Sequence, residues 1–511
     1  MNKIAIIFLA LLVTVSPAFS FCGFYVAKAE AQLFNEQSSV IIARHDGQTV
    51  ITMSNDFKGP LDEFAMVVPV PEVLTKDRIR IADQKIFDKL DAYSGPRIVE
   101  YNDPNPCQPM YALEEMSTMR FKSARNEAPA ADMVEDEKDY GVQIVESYTV
   151  GEYDILILSA NESNGLERWL IDNDYKIPVG AQEVLEPYIK NDMKFFVVKV
   201  NLKKAKQNGY NTLRPIQMTF QTDKFMLPIR LGMANAKGNQ DLIVYSLTKK
   251  GMTEATNYKT TKIPTNKEIP EFVEARFGEF YVDLFDKTWK QDKDAVYVEY
   301  GWDLSSNNFV KCDPCVTNPP VYADLREAGI FWVDDNTQRQ FRTTADYNGD
   351  VYLTRLHVRY NRSTFPQDLK FQETPNKESF QGRYVMNHPA QGDLTCDAGK
   401  NYLKDVVKRR TNELENLADL TGWNTQGEYA AYVGKYEKMI DKNYKKDNDS
   451  GTDENGFIKA LPKKGAMLLI GTIANGGGSN GPEAGMFIML YVLCLTAFSW
   501  YWIRQGKLSV V

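Results

Sequence analysis

A chain of 511 residues, 43% hydrophobic and 25% charged, can bury one large core or two to three ordinary ones and is too apolar to stay unfolded. Its formal net charge of -8 gives no electrostatic reason to expect nucleic acid or an anionic membrane surface as a partner. Its three histidines, His45, His357 and His388, stand far apart without metal-ligand spacing, which argues against histidine chemistry.

The chain opens with Lys3, an apolar run over 4–15 and a polar break at Ser16-Pro17. This is the three-part pattern of a signal peptide, residues 1–20, with cleavage after Ser20. Lipidation of Cys22 requires a small residue before the cysteine, and Phe21 stands there.

Residues 39–55 read as two strands closed by the turn residues Asp46-Gly47, with His45 beside the turn, and 64–71 as a third strand ending in prolines. Residues 112–139 are rich in charge and poor in periodicity, the composition of a mobile insertion. A strand is expected over 148–158, and helices over 165–173 and 181–191, covering the sheet. Strands resume over 195–202, 216–221, 225–231 and 242–248.

A faint echo runs through this half. Ile51-Thr52-Met53 leads to Asp62-Glu63-Phe64 and a proline-bearing strand, and Ile216-Gln217-Met218 leads to Asp223-Lys224-Phe225 and Pro228. Two copies fall short of a repeat architecture.

The stretch 256–271 is linker-like, and a boundary is expected near 265. Strands follow over 294–300 and 351–360, the second carrying His357 between apolar neighbours, and then helices over 401–421 and 429–442. Asp447, Asp449 and Asp453 resemble a calcium loop, but Thr452 and Ile458 stand where that loop needs Gly and Glu.

Residues 471–484 are a Gly-rich tether. Residues 485–503 carry no charge, and at about 1.5 Å per residue they match a bilayer core of about 30 Å. Trp500, Tyr501 and Trp502 sit at headgroup level, and Arg504 and Lys507 place the tail, 504–511, in the cytoplasm. The expected location is the cell membrane, single-pass, with the bulk periplasmic or extracellular.

The expected fold is α+β. A β-rich ectodomain of antiparallel sheets with covering helices divides into 21–265 and a cysteine-bearing β domain, 266–400. A helical segment, 401–460, and one C-terminal transmembrane helix follow.

Of six cysteines, Cys494 lies in the span. Cys22, Cys107, Cys312, Cys315 and Cys396 remain in an oxidising compartment as disulfide candidates. Five is odd, so at least one is left unpaired. Spacing does not determine connectivity; the expected pairs are Cys22 with Cys107, and Cys396 with Cys312 or Cys315. A redox motif at Cys312 and Cys315 lacks the helix start that would stabilise a thiolate, because Pro319-Pro320 follows. A zinc site there lacks a fourth ligand.

Several ordered motifs resemble the bacterial DUF2330 family of uncharacterised exported proteins: Cys22-Gly23-Phe24, Val67-Val68-Pro69-Val70-Pro71, Lys311-Cys312-Asp313-Pro314-Cys315, Thr354-Arg355-Leu356-His357-Val358-Arg359-Tyr360, Phe380-Gln381-Gly382-Arg383-Tyr384 and Leu420-Thr421-Gly422-Trp423. The resemblance implies location and extent, and no reaction.

No phosphate loop, nucleophile elbow or zinc-protease motif occurs. Catalytic residues stay unassigned, and no metal or cofactor is expected. The expected function is a binding or interaction ectodomain with the membrane and an envelope protein as partners. The alternative is an extracytoplasmic enzyme using a thiol or carboxylate.

Overall fold

In the computed structural model, residues 24–27, 38–55, 63–108, 142–160, 163–173, 181–201, 213–234, 238–305, 318–336 and 345–444 are described. After a short strand, β1 (Phe24–Ala27), come β2 (Ser38–His45) and β3 (Gln48–Asn55). Asp46 and Gly47 between them have φ of 47° and 80°. That pair of positive values is what a two-residue hairpin of matching twist demands, and Gly meets it without steric cost.

Next come β4 (Glu63–Val70), β5 (Ile79–Ile81), α1 (Lys85–Ser94) and β6 (Arg97–Asn102). The strand expected over 148–158 is instead a hairpin, β7 (Val142–Val150) and β8 (Tyr153–Ala160). Its turn carries Gly151 at positive φ, and the wholly buried Glu152 pairs with Arg214 at 2.5 Å.

Then follow α2 (Ser163–Asp172), α3 (Ala181–Lys190), β9 (Lys194–Asn201), β10 (Ile216–Gln221), β11 (Met226–Leu227), β12 (Gln240–Thr248), β13 (Thr253–Ala255), β14 (Lys259–Lys262) and β15 (Lys267–Glu268). The remainder is α4 (Phe277–Gln291), β16 (Ala295–Asp303), α5 (Tyr322–Glu327), β17 (Asp334–Asp335), β18 (Tyr347–Asn348), β19 (Tyr352–Tyr360), β20 (Leu369–Glu373), β21 (Phe380–Gln381), β22 (Arg383–His388), α6 (Asp397–Thr421), α7 (Tyr429–Tyr432) and α8 (Gly434–Tyr444).

Two sheets form a sandwich. The smaller runs β1-β4-β9-β8-β7, all antiparallel. The larger runs β14-β16-β19-β12-β2-β3-β10-β5, with β2·β12 and β14·β16 parallel. Strands on both sides of the expected boundary near 265 pair in this one sheet, and the described residues all fall within one compact unit, Met1–Lys445.

Alternation along each strand decides what the sandwich buries. Met66, Val68 and Val70 of β4 and Phe196 and Val198 of β9 meet Val40, Ile42, Ile51, Met53, Met218 and Phe220 of the larger sheet. Each such side chain contributes about 1.5–3 kcal/mol of burial free energy. Outside the smaller sheet, Leu166, Trp169 and Leu170 of α2 and Leu185 and Tyr188 of α3 cover Val67, Leu158, Phe195 and Val197. Behind the larger sheet, Ile86, Phe87 and Leu90 of α1 cover Ile243, Tyr245 and Leu247.

The other row of β19 is charged. Leu356 and Val358 face the sandwich core, so Arg355, His357 and Arg359 line the opposite face. Between Val298 and Tyr300 the register of β16 against β19 shifts, and this β-bulge turns Glu299 onto that face. Glu299 accepts from Arg355 Nε at 2.6 Å, lies 2.7 Å from His357 Nδ1, and accepts from the Tyr281 hydroxyl of α4. Asp241 of β12 lies 3.3 Å from His357 Nε2 and accepts from Arg359 Nε and Nη2 at 2.8 and 2.9 Å.

Asp91 of α1 accepts from Arg355 at 2.6 Å, and Asp286 of α4 from Arg359 at 3.3 Å. Phe285 of α4 closes the row, stacked on His357 with centroids 3.6 Å apart. Burial works to raise the Glu299 and Asp241 carboxyls, but the adjoining cations outweigh it and hold both at about 2. Burial works to lower His357, and its two carboxylate neighbours more than reverse this and raise it.

Cys107, just beyond β6, is joined to Cys396 at the N-terminus of α6. The expected pairs, Cys22 with Cys107 and Cys396 with Cys312 or Cys315, are therefore corrected. The packing of α6 explains the change: a Cβ on Gly399 would meet the Leu394 carbonyl oxygen at 2.2 Å and Cys107 Sγ at 2.9 Å. The glycine lets the helix start close against the loop after β6, within reach of Cys107.

Among the described residues no helix is long and apolar enough to cross a membrane. The expected span 485–503, its tether, its tail, the leader 1–20, the insertion 112–139, the Asp447–Asp453 stretch, Cys22, Cys312, Cys315 and Cys494 lie outside the described residues.

Three predictions follow from these contacts. Glu299→Gln leaves Arg355 and His357 short of a buried counter-charge and lowers stability by about 3–5 kcal/mol in urea unfolding. The penalty of His357→Gln is full below its ordinary value near 6.5 and shrinks as pH rises through the raised folded value, because a raised pKa stabilises only while the proton is held. A penalty that grows towards alkaline pH contradicts this. Replacing Cys107 and Cys396 together by serine opens a 289-residue separation and lowers stability by about 2–5 kcal/mol, read in the same unfolding measurement with and without reductant.

Candidate functional site

The sealed charge row contains residue types that catalyse elsewhere, but a substrate cannot reach it. Glu299 is 0% exposed, Arg355 6% and His357 9%, and Phe285 lies flat over the imidazole. His45 lies 3.2 Å from Asp46 at the hairpin turn, and His388 2.7 Å from Glu100. The only other described sequence candidates, Cys107 and Cys396, are spent on each other. Among the described residues no group of three or more His, Cys, Asp or Glu could hold a metal ion.

Concave space lies elsewhere, at one end of the sandwich. A chamber of about 240 Å³ opens between β3, β4 and β10, walled by Ile51, Met53, Val68, Val70, Met218 and Phe220. Met193, Met226 and Leu227 complete its apolar wall, with Pro69, Pro71 and Pro228 at the ends of their strands. Four of these residues are methionines, whose unbranched thioethers repack around varied shapes.

A second chamber of about 400 Å³ shares Asn191, Met193, Lys224 and Met226 with the first. The two adjoin at these residues. Together they fall in the range of small-molecule sites, roughly 300–1,000 Å³.

The second chamber is also mostly apolar in its lining but carries more charge. Lys224, Arg230 and Lys370 line it, and Asp368 is the one carboxylate among its lining residues. One Asp368 oxygen accepts from the Tyr188 hydroxyl at 2.6 Å and from the Ile229 and Arg230 backbone N–H at 3.0 and 3.2 Å. Burial pushes the carboxyl upward against those donors, and burial with Asp368 beside it pushes the Tyr188 phenol well above its usual value. Arg230 Nε is 4.0 Å from the other Asp368 oxygen and has no hydrogen-bond partner among the described residues.

The linings of these chambers include no serine, cysteine or histidine. The geometry is that of a methionine-walled pouch beside a chamber lined by three cations.

The sequence reading missed Lys224, Arg230, Tyr188 and Asp368 as site residues, but it carried a signal for the pouch. The echoed triplets are cross-strand partners: β3 and β10 pair with Met53 opposite Ile216 and Ile51 opposite Met218. The segments that follow each triplet, Val68 to Pro71 and Lys224 to Pro228, form the facing wall.

No curated protein and no solved structure matches the chain. One family does, described as an uncharacterised protein conserved in bacteria, over residues 16–372. That span takes in both echoed segments, both sheets of the sandwich and every residue lining the two chambers, and the chain belongs to the DUF2330 family.

Proposed function

We propose that this chain is an exported binding protein, anchored by residues 485–503 with its bulk outside the cytoplasm, whose ligand occupies the two-chambered cavity. The observation that carries the binding reading is the cavity itself: a methionine-walled pouch of about 240 Å³ adjoining a cation-lined vestibule. The export reading is supported by the signal-peptide pattern of residues 1–20 and by a disulfide between Cys107 and Cys396, a bond favoured in oxidising compartments. The anchor is supported by the uncharged length of 485–503 and the aromatic and basic residues that close it.

The uncharged fluorophore N-phenyl-1-naphthylamine tests the cavity. The full-length protein binds one equivalent saturably. Met218→Trp and Met226→Trp, which fill the pouch from two strands, each weaken binding at least tenfold while urea unfolding stays cooperative. Absence of saturable binding, or binding unchanged in both variants, overturns the reading.

Topology has its own test. With Cys22, Cys312, Cys315 and Cys494 replaced by serine, a membrane-impermeant maleimide labels Ser147→Cys in intact cells, and labels Ser509→Cys only after permeabilisation. The reverse pattern contradicts the orientation.

A further inference from the structure

The charges around the cavity are lopsided. The pouch carries its apolar wall deep and one cation, Lys224, at the junction with the vestibule. The vestibule adds Arg230 and Lys370 against Asp368 alone, and Asp368 already accepts three hydrogen bonds on one oxygen. Lys224 and Lys370 have no carboxylate partner among the described residues. A cationic mouth on an apolar pouch is electrostatically incomplete, and what completes it is an anion attached to an apolar body.

Resting on the reading of the cavity as a ligand site, we propose that the occupant is a single-chain amphiphile, its tail in the methionine-walled pouch and its anionic head among Lys224, Arg230 and Lys370. Size sets the single chain. At about 30 Å³ per water-sized group, a pouch of about 240 Å³ takes roughly eight carbons, which is one acyl or alkyl tail and not two. The head is held chiefly by charge. Arg230, whose Nε lies 4.0 Å from Asp368, adds its guanidinium charge to two flexible ammonium groups, a set that accepts carboxylate, sulfonate or phosphate alike.

Alkyl sulfonates of increasing length provide the probe, titrated against the full-length protein below their aggregation concentrations, with alkyl glucosides and alkyl trimethylammonium salts of the same lengths beside them. Affinity for the sulfonates rises about threefold to fourfold per methylene and levels off at about eight carbons. It exceeds that for the glucosides at least tenfold, and the advantage shrinks as salt is raised. Lys224→Glu, at an exposed position, removes the sulfonate advantage and improves trimethylammonium binding. Lys370→Glu, also exposed, shifts preference in the same direction.

Failure of this inference and failure of the cavity reading look different. If the naphthylamine binds but sulfonates, glucosides and trimethylammonium salts bind equally, the cavity is a ligand site and its occupant is not anionic. If two-chain anionic lipids in micelles bind more tightly than any single-chain sulfonate, the single-chain assignment is overturned. If nothing binds, both readings fall.

Discussion

Strand β19 cannot bury both of its faces in the same way. One row is apolar and belongs to the sandwich core; the other presents Arg355, His357 and Arg359, which must be neutralised where water is excluded. The counter-charges come from Asp91, Asp241, Asp286 and Glu299, on a helix, a strand, another helix and a bulged strand. Such a row gains little over well-packed apolar residues, because desolvation offsets much of the attraction, but an arrangement that strands one member unpaired is strongly penalised. The row thus selects one arrangement of α1, β12, α4, β16 and β19. It joins residues 91 to 359 and thereby both halves of the chain.

The cavity depends on that arrangement at one remove. With β12 held beside β19, β2 follows as its parallel neighbour and β3 and β10 extend the sheet outward. Met53 and Met218 then sit on adjacent strands facing β4 across the sandwich. Where the two sheets part, the pouch remains, and its methionines keep it adaptable. The cationic vestibule draws on further elements: α3 supplies Tyr188, and the β20 region supplies Asp368 and Lys370. Asn191, Met193, Lys224 and Met226 line both chambers, so the charge of one and the apolar wall of the other meet on the same residues.

The sequence disclosed what local chemistry determines. Asp46-Gly47 can only turn, so the β2–β3 hairpin was legible, and the helices from 163 and 181 and the strands 216–221 and 240–248 were legible from periodicity. The hairpin at Gly151-Glu152 was not, because apolar and β-branched residues run through both strands and the buried Glu152 declares itself only against Arg214. Helix α4 carries Phe277, Phe280, Tyr281, Leu284 and Phe285 at helical spacing, but the linker-like stretch before it supplies no cap to mark its start. The disulfide could not be read, since spacing says nothing about a partner 289 residues distant. The echo was visible as a pattern, but its meaning needed the register of β3 against β10.

The central claim is that the methionine-walled pouch takes up an apolar tail, and methionine methyl groups report on it directly. In ¹³C-methyl-methionine spectra of the full-length protein, a medium-chain alkyl sulfonate shifts the signals of Met53, Met193, Met218 and Met226, which line the pouch. Met386, buried on β22 away from it, stays in place. Shifts confined to other methionines, or none at saturating ligand, contradict the account.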